Sequence, residues 1–193
     1  NSNNNNNTIN RRMKHDALQI IHKSIQAVDP YAAVKSHLKL VKDGNNVVLQ
    51  VGSDTSTTIQ EYSLQDYDKI VLIAFGKASS AMATAVVQQL DDIDNDNQGK
   101  KDTMGVCICK DDHATQDEIL TLEAFGCSLL NASHPVPDER SSQAAQQALE
   151  LVQQHASPST LVLCCISGGG SALFCSPRSP LTLKDLQDTN QGL

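Results

Sequence analysis

Seven residues, Thr160-Leu-Val-Leu-Cys-Cys-Ile166, form a nearly unbroken apolar run that leads directly into Ser167-Gly168-Gly169-Gly170-Ser171. A short apolar run closed by glycines predicts a buried strand that must turn sharply, and it constrains the fold more than any other stretch. Three residues without Cβ let backbone N–H groups turn inward and approach a ligand closely. A helix opening at Ser171-Ala-Leu-Phe174 would add N–H donors and the positive end of its dipole. Phosphate is the natural anion for such a loop. Standard nucleotide fingerprints do not fit: G-x-G-x-x-G fails at Leu173, and no Lys-Ser/Thr pair follows. Taken alone, the triplet reads equally well as a tight turn.

A second site repeats the arrangement. Lys69-Ile-Val-Leu-Ile-Ala-Phe75 ends in Gly76-Lys77, and a small-residue helical pattern runs from Ala78 to Leu90. A lysine at a helix N-terminus opposes the dipole unless an anion offsets it. The alternative is a solvated lysine after a turn glycine. The Walker pattern fails here as well, because Val71 stands where its first glycine belongs and Ala78 follows the lysine.

Between and after these sites the chain alternates. Strands are predicted at 69–75, 104–109, 127–132 and 160–166. Helices are predicted at 78–90, near 116–124, from about 138, and from a capping-box pattern at Thr182-Leu-Lys-Asp185. Pro135 and Pro137 hold the backbone extended after Ser133-His134, so the third helix waits until Asp138. The expected fold is a doubly wound α/β domain, Rossmann-like, with a mostly parallel sheet covered on both faces. Ligands of such folds sit beyond the C-terminal strand ends, where Gly76, Lys77, His134 and the Ser167–Ser171 loop converge.

The first 68 residues read differently. Positions 1–13 are asparagine-rich and are expected to carry no fixed structure. Leu18, Ile21, Ile25 and Val28, then Tyr31, Val34, Leu38 and Val41, recur at helical spacing, with Asp29-Pro30 as N-cap and first helical residue between them. This predicts a two-helix arm, followed by a small hairpin from 47–51 and 58–62. The domain proper is assigned to 14–193.

With aromatics at 3% of 193 residues, the core has to be aliphatic and alanine-rich. A formal charge of −7 argues against a nucleic-acid partner, and no apolar run reaches the length of about 18–20 residues that spans a bilayer. The six cysteines form no C-x-x-C pair, and five lie in or beside strand-like runs. They read as small core residues of a protein in a reducing compartment, the cytoplasm by default, with Cys107 and Cys109 on one strand side as a chelating pair the alternative. Arg11, Arg12 and Lys14 keep a mitochondrial location as the alternative. No metal-ligand set is apparent, and the sequence leaves the oligomeric state open.

Three segments in order, Ile73-Ala-Phe-Gly-Lys-Ala-Ser-Ser-Ala-Met-Ala83, Ser133-His-Pro-Val-Pro-Asp138 and Ile166-Ser-Gly-Gly-Gly-Ser-Ala-Leu173, closely resemble the N-terminal domain of the MOFRL-family glycerate kinases (glycerate 2-kinases). The resemblance covers about 14–193 and implies a phosphotransferase that uses ATP and Mg²⁺ to phosphorylate D-glycerate, at the 2- or 3-position. It implies that Lys77 is the active-site lysine, that Gly76 and the Ser167–Ser171 loop bind phosphate or substrate, and that His134 belongs to the same site. It also implies that the chain is a partial enzyme, incomplete at its C-terminus, with the second domain and metal ligands lying beyond Leu193. The alternatives are an inactive phosphate- or nucleotide-binding module and an unrelated sugar-phosphate-binding α/β domain.

Overall fold

A computed structural model describes residues 2–44, 46–52, 58–94 and 101–192. A long helix α1 (Ser2–Ala27) leads through Asp29 into α2 (Pro30–His37) and three short strands, β1 (Leu38–Asp43), β2 (Asn46–Val51) and β3 (Gln60–Ser63). The remainder alternates: β4 (Lys69–Phe75), α3 (Ser79–Asp94), β5 (Asp102–Lys110), α4 (Gln116–Phe125), β6 (Cys127–Ala132), α5 (Glu139–His155), β7 (Thr160–Ile166), the single turn α6 (Gly170–Leu173) and α7 (Leu183–Gly192).

The four later strands form one parallel sheet in the order β6-β5-β4-β7. The chain winds outward from β4 to β5 and β6, then crosses back to lay β7 on the other side of β4. β4 is therefore central, and Ile70 through Ala74 are each at most 5% exposed. A strand buried on both faces reads as a continuous apolar run rather than an alternating one, which is why Ile-Val-Leu-Ile-Ala was legible.

Alternate residues serve two cores. Leu72, Ala74, Cys107 and Cys165 pack with Val86, Val87 and Leu90 of α3, Leu122 and Phe125 of α4, and Leu38 and Leu49 of the small sheet. Val71, Ile73, Val106 and Ile108 pack on the other face with Ala144 and Ala148 of α5 and Leu173 of α6. Each buried Leu, Ile or Val contributes about 1.5–3 kcal/mol, and both clusters join sheet and helix residues. Helices thus cover both faces, as a doubly wound architecture requires. On the α5 side of β7, Val162 and Ile166 stay exposed, because α5 packs over β4, β5 and β6.

Local signals set the helix ends. Thr115 and Glu118 form a reciprocal capping box at α4, and Gly126 closes that helix at φ 86°. Asp138 caps α5 through the Ser141 N–H. Asp29 Oδ1 accepts the Ala32 N–H at 2.7 Å, and Pro30 takes the first turn of α2.

One expectation for the N-terminal region changes. The helical spacing of Leu38 and Val41 predicted one helix through both, but α2 stops at His37 and Leu38–Asp43 is strand. Leu40 pairs with Leu49 and Val41 with Val48 on β2. Residues three apart fit either period in so short a stretch, and pairing with β2 decides. The 47–51 and 58–62 pair does form the hairpin arm β2–β3, its connection at 53–57 lying outside the described residues. From Ser2 onward the asparagine-rich positions continue α1. Elongating an existing helix demands far less of each residue than nucleating one. Leu18, Ile21 and Ile25 of α1 are all more than half exposed. α2 is tied to the body by the Tyr31 hydroxyl, which donates to Gln88 Oε1 on α3.

Candidate anion site at the sheet switch point

β4 and β7 are neighbours whose connections leave in opposite directions around the sheet, so the crevice beyond their C-terminal ends is the topological switch point of this fold. The two glycine turns meet there and bond directly. Ser167 N–H donates to Phe75 O at 3.1 Å, and Lys77 N–H donates to Gly168 O at 2.9 Å. Ala78 N–H donates to Ser167 Oγ at 3.0 Å. Gly76 N–H reaches Ile108 O on β5 at 3.2 Å, and the buried Ser79 hydroxyl donates to the same carbonyl at 2.8 Å.

Glycine is required at two of these positions. Gly76 has φ 122°, and a Cβ there would lie 2.6 Å from the Ser167 carbonyl oxygen. Gly169 has φ 85°, and its Cβ would lie 2.7 Å from His134 Cδ2, 2.8 Å from His134 Nε2 and 3.2 Å from Lys77 Cγ. Residues 35 and 92 positions away thus close on the backbone of one glycine. Beneath the loop, Phe75 and Phe174 stack with ring centroids 4.5 Å apart.

All the residues singled out in the sequence, Gly76, Lys77, His134 and Ser167–Ser171, therefore lie around one crevice, but their chemistry divides unevenly. In the Gly76–Lys77 turn the amides of residues 76–79 are bonded within the protein. What that turn presents outward is the exposed Lys77 side chain, for which no carboxylate partner is found among the described residues. In the second loop the N–H groups of Gly168, Gly169 and Ser171 meet no acceptor among the described residues. Ser167 also serves the architecture, its Oγ accepting the Ala78 N–H. α6 is a single turn, so the loop amides rather than a long helix dipole supply the donors.

The electrostatics favour an anion. His134 has its pKa lowered, first by desolvation and then by the positive charges of Lys77 and Lys110 and by His113, so its neutral form is favoured. Lys110 and His113 come from the β5–α4 turn, which the sequence reading left without a role. Arg140 was also missed. Its guanidinium donates to both carboxylate oxygens of Asp111, at 2.7 and 2.9 Å, and its Nε donates to Asp138 at 2.8 Å. Only the fold reveals a pair 29 residues apart.

The six thiols are unpaired. Burial pushes Cys109 and Cys165 to about 11 and Cys127 to about 12, far from the thiolate. These three, with the buried Cys107 and Cys175, behave as core residues, while Cys164 is exposed. Among the described residues no group of three or more His, Cys, Asp and Glu side chains is placed to hold a metal ion. An apolar groove of about 340 Å³, lined by Val34, Leu38, Met82 and Leu163 among others, lies on the α3 face. It carries none of the converging polar groups.

Residues 16–193 match the family described as "Domain of unknown function (DUF4147)". The chain is 31% identical over 91% of its length to a glycerate 2-kinase of Pyrococcus horikoshii, spanning 33% of that protein. It is 33% identical over 94% to a D-glycerate 2-kinase of Thermotoga maritima, spanning 34% of it. An Agrobacterium vitis protein carrying the provisional name hydroxypyruvate reductase is 38% identical over 65% of the chain, which spans 25% of that protein. The solved structure of a P. horikoshii protein superposes with a TM-score of 0.67 at 29% identity, covering 93% of this chain and 34% of that one. This chain spans about a third of the length of the glycerate 2-kinases it matches. It belongs to the DUF4147 family, the N-terminal domain of the MOFRL-associated glycerate kinases that its three motifs resemble.

Proposed function

We propose that this chain supplies the phosphate-binding face of a glycerate kinase, a phosphotransferase that uses ATP and Mg²⁺ to phosphorylate D-glycerate. The observation that carries the reading is the approach of Lys77 and His134 to Gly169, beside loop amides without acceptors. Phosphoryl transfer needs little covalent help from a protein. It needs the phosphoryl oxygens positioned and their charge balanced. The Lys77 ammonium would balance charge, and the N–H groups of Gly168, Gly169 and Ser171 would fix the direction of the oxygens. A neutral His134 can accept a proton from, or donate a hydrogen bond to, a hydroxyl held beside that phosphate.

ATP supplies the transferable phosphoryl group, and its phosphates suit the cradle at Gly169, which a side chain would fill. Magnesium has no comparable fit, because the described residues offer it no donor set. The glycerate 2-kinases P. horikoshii and T. maritima carry support the choice of substrate. The reductase name carried by the A. vitis protein would call for a dinucleotide site, and the Gly168 loop lacks that fingerprint at Leu173. A cytoplasmic location is part of the proposal, supported by six unpaired thiols. Among the described residues no helix is long and apolar enough to cross a membrane.

Titration of the 193-residue chain with inorganic phosphate and with ATP, followed by amide NMR, tests the site. Shifts concentrated at 167–171 and 76–78 are expected, and shifts elsewhere would overturn it. A coupled ADP-release assay with D-glycerate, run beside NADH oxidation with hydroxypyruvate on a full-length relative, separates kinase from reductase. For the isolated chain, ADP release far below ordinary kinase rates of about 1–100 per second is expected. Positioning by facing groups can contribute about 7–11 kcal/mol to lowering a barrier, and this chain spans a third of the matched kinases.

A further inference from the structure

The crevice sits beside two carboxylates that ought to weaken it. Asp111 adjoins Lys110 on the β5–α4 turn, and Asp138 ends the turn that begins at His134. A carboxylate free to reach Lys110, His113 or His134 would cancel the positive potential that an anion needs. Arg140, in the first turn of α5, engages both. Its fork covers both oxygens of Asp111 at 2.7 and 2.9 Å, while its Nε takes Asp138 Oδ2 at 2.8 Å. The other Asp138 oxygen caps α5 by accepting from Ser141 N and Oγ, at 3.2 and 3.3 Å.

We propose that Arg140 is a positioning residue for the anion site, holding the Asp111 and Asp138 carboxylates away from its lysine, imidazole and N–H groups. The inference rests on the anion-site reading given above. Bidentate arginine–carboxylate geometry makes this more than a general surface charge pair, since both oxygens of Asp111 are held on the Arg140 fork. Burial pushes the Asp138 carboxyl up, but the hydrogen bonds from Arg140, from the Ser141 N–H and from the Ser133 backbone lower it overall. Asp111 is lowered chiefly by its Arg140 hydrogen bonds. Both acids are therefore charged near neutral pH, and the direction they point decides the field at His134.

The charged groups around His134 come from two neighbouring turns besides its own. Lys77 lies on the β4–α3 turn, and Lys110, Asp111 and His113 on the β5–α4 turn. Helix α7 touches the turn through Gln187, which donates to Pro137 O at 2.9 Å. On α7, Lys184 pairs with Asp188, and Asp185 accepts from the N–H and hydroxyl of Thr182 just before the helix.

Two substitutions with opposite expected signs test the idea. Arg140→Gln frees both acids, so the His134 titration midpoint, read by imidazole NMR, moves up and inorganic phosphate binds about three- to five-fold more weakly. Asp111→Asn leaves Arg140 in place with less charge to balance, so the midpoint moves down and phosphate binds more tightly. The double variant Asp111→Asn/Arg140→Gln recovers much of the affinity lost in Arg140→Gln. A purely mechanical clamp predicts weakening in all three variants, and that pattern, or an unmoved His134 midpoint in Arg140→Gln, overturns the proposal. If His134 responds as stated while the unaltered chain binds no phosphate, the anion-site reading fails and the role of Arg140 stands.

Discussion

The two glycine turns look alike in sequence and do different work in the fold. Each follows an apolar strand of the same sheet, and each leads toward a helix. The Gly76–Lys77 turn bonds its amides inward, to Ile108, Gly168 and Ser167, and offers one long flexible cation. The Ser167–Ser171 loop keeps three amides unbonded among the described residues and offers fixed directions without a charge. The difference teaches that a glycine before a helix does not by itself make an anion site. What matters is whether the neighbouring strand's turn uses the amides first. Here one turn is held so that the other can remain open.

Substitution at Gly76 should break that relation most severely. An alanine would need φ 122° and would place Cβ 2.6 Å from the Ser167 carbonyl oxygen, so Gly76→Ala should lose about 3 kcal/mol or more. Urea unfolding of the chain measures it, and a loss below about 1 kcal/mol would mean the turns are not locked.

The next effect tests the cation without touching the backbone. In an active full-length kinase containing this domain, Lys77→Ala should lower kcat/KM by at least about 10²-fold, on the order of 3 kcal/mol of transition-state stabilisation. Folding should be nearly unchanged, because the side chain is exposed. Lys77→Arg should recover little, since a planar fork differs in reach from a compact ammonium. Near-normal turnover of the alanine variant would leave the loop amides as the whole site.

Within the second loop, adjacent glycines should separate shape from flexibility. Gly169→Ala should cost about 1–3 kcal/mol through its positive φ, a fall of several degrees in Tm, and should abolish detectable phosphate binding because the new Cβ meets His134 and Lys77. At Gly168 nothing lies within 4 Å of an added Cβ, so Gly168→Ala should change either quantity little. Equal effects at both positions would argue that only loop flexibility matters.

The smallest effect is in pH. His134 has a lowered folded pKa, so the folded state binds fewer protons than the unfolded one near pH 6.5. Its contribution makes the fold less stable as pH falls through the unfolded value toward the folded one, and His134→Gln should remove that part of the slope. Asp111 and Asp138, with lowered folded pKa values, act in a separate window. Their stabilisation is present above about pH 4 and is lost as pH falls through their folded values. Bound phosphate should raise the His134 midpoint, and an unmoved midpoint would place the anion elsewhere.

β4 was legible because it is buried on both sides, and β7 because its run is apolar throughout, even though Val162 and Ile166 stay exposed. Lys69–Phe75 and Thr160–Ile166 needed no periodicity argument, and Gly76 and Gly168 marked their ends. β1 was not legible: Leu38 and Val41 satisfy a helical period until β2 is placed beside them. The site was legible at the level of turns, since strand-end glycines with Lys77 and His134 have to share one edge of a parallel sheet. Which amides stay open was not legible, because that depends on Lys77 bonding to Gly168 across 91 positions. Arg140 was invisible for the same reason, being one of many charges in a helix's first turn until Asp111 is brought to it.

The backbone bonds that join the two turns have a thermodynamic consequence. A phosphate-binding loop that hangs free must surrender chain entropy each time a ligand arrives, about 1–2 kcal/mol for every residue fixed. Here Ser167 and Gly168 are fastened to Phe75, Lys77 and Ala78 before any ligand is present. That disorder is lost once, when the sheet assembles, and association need not lose it again. Binding to such a rigid recess avoids the heat-capacity signature of coupled folding, and the loop's affinity then reflects its contacts with little deduction for ordering.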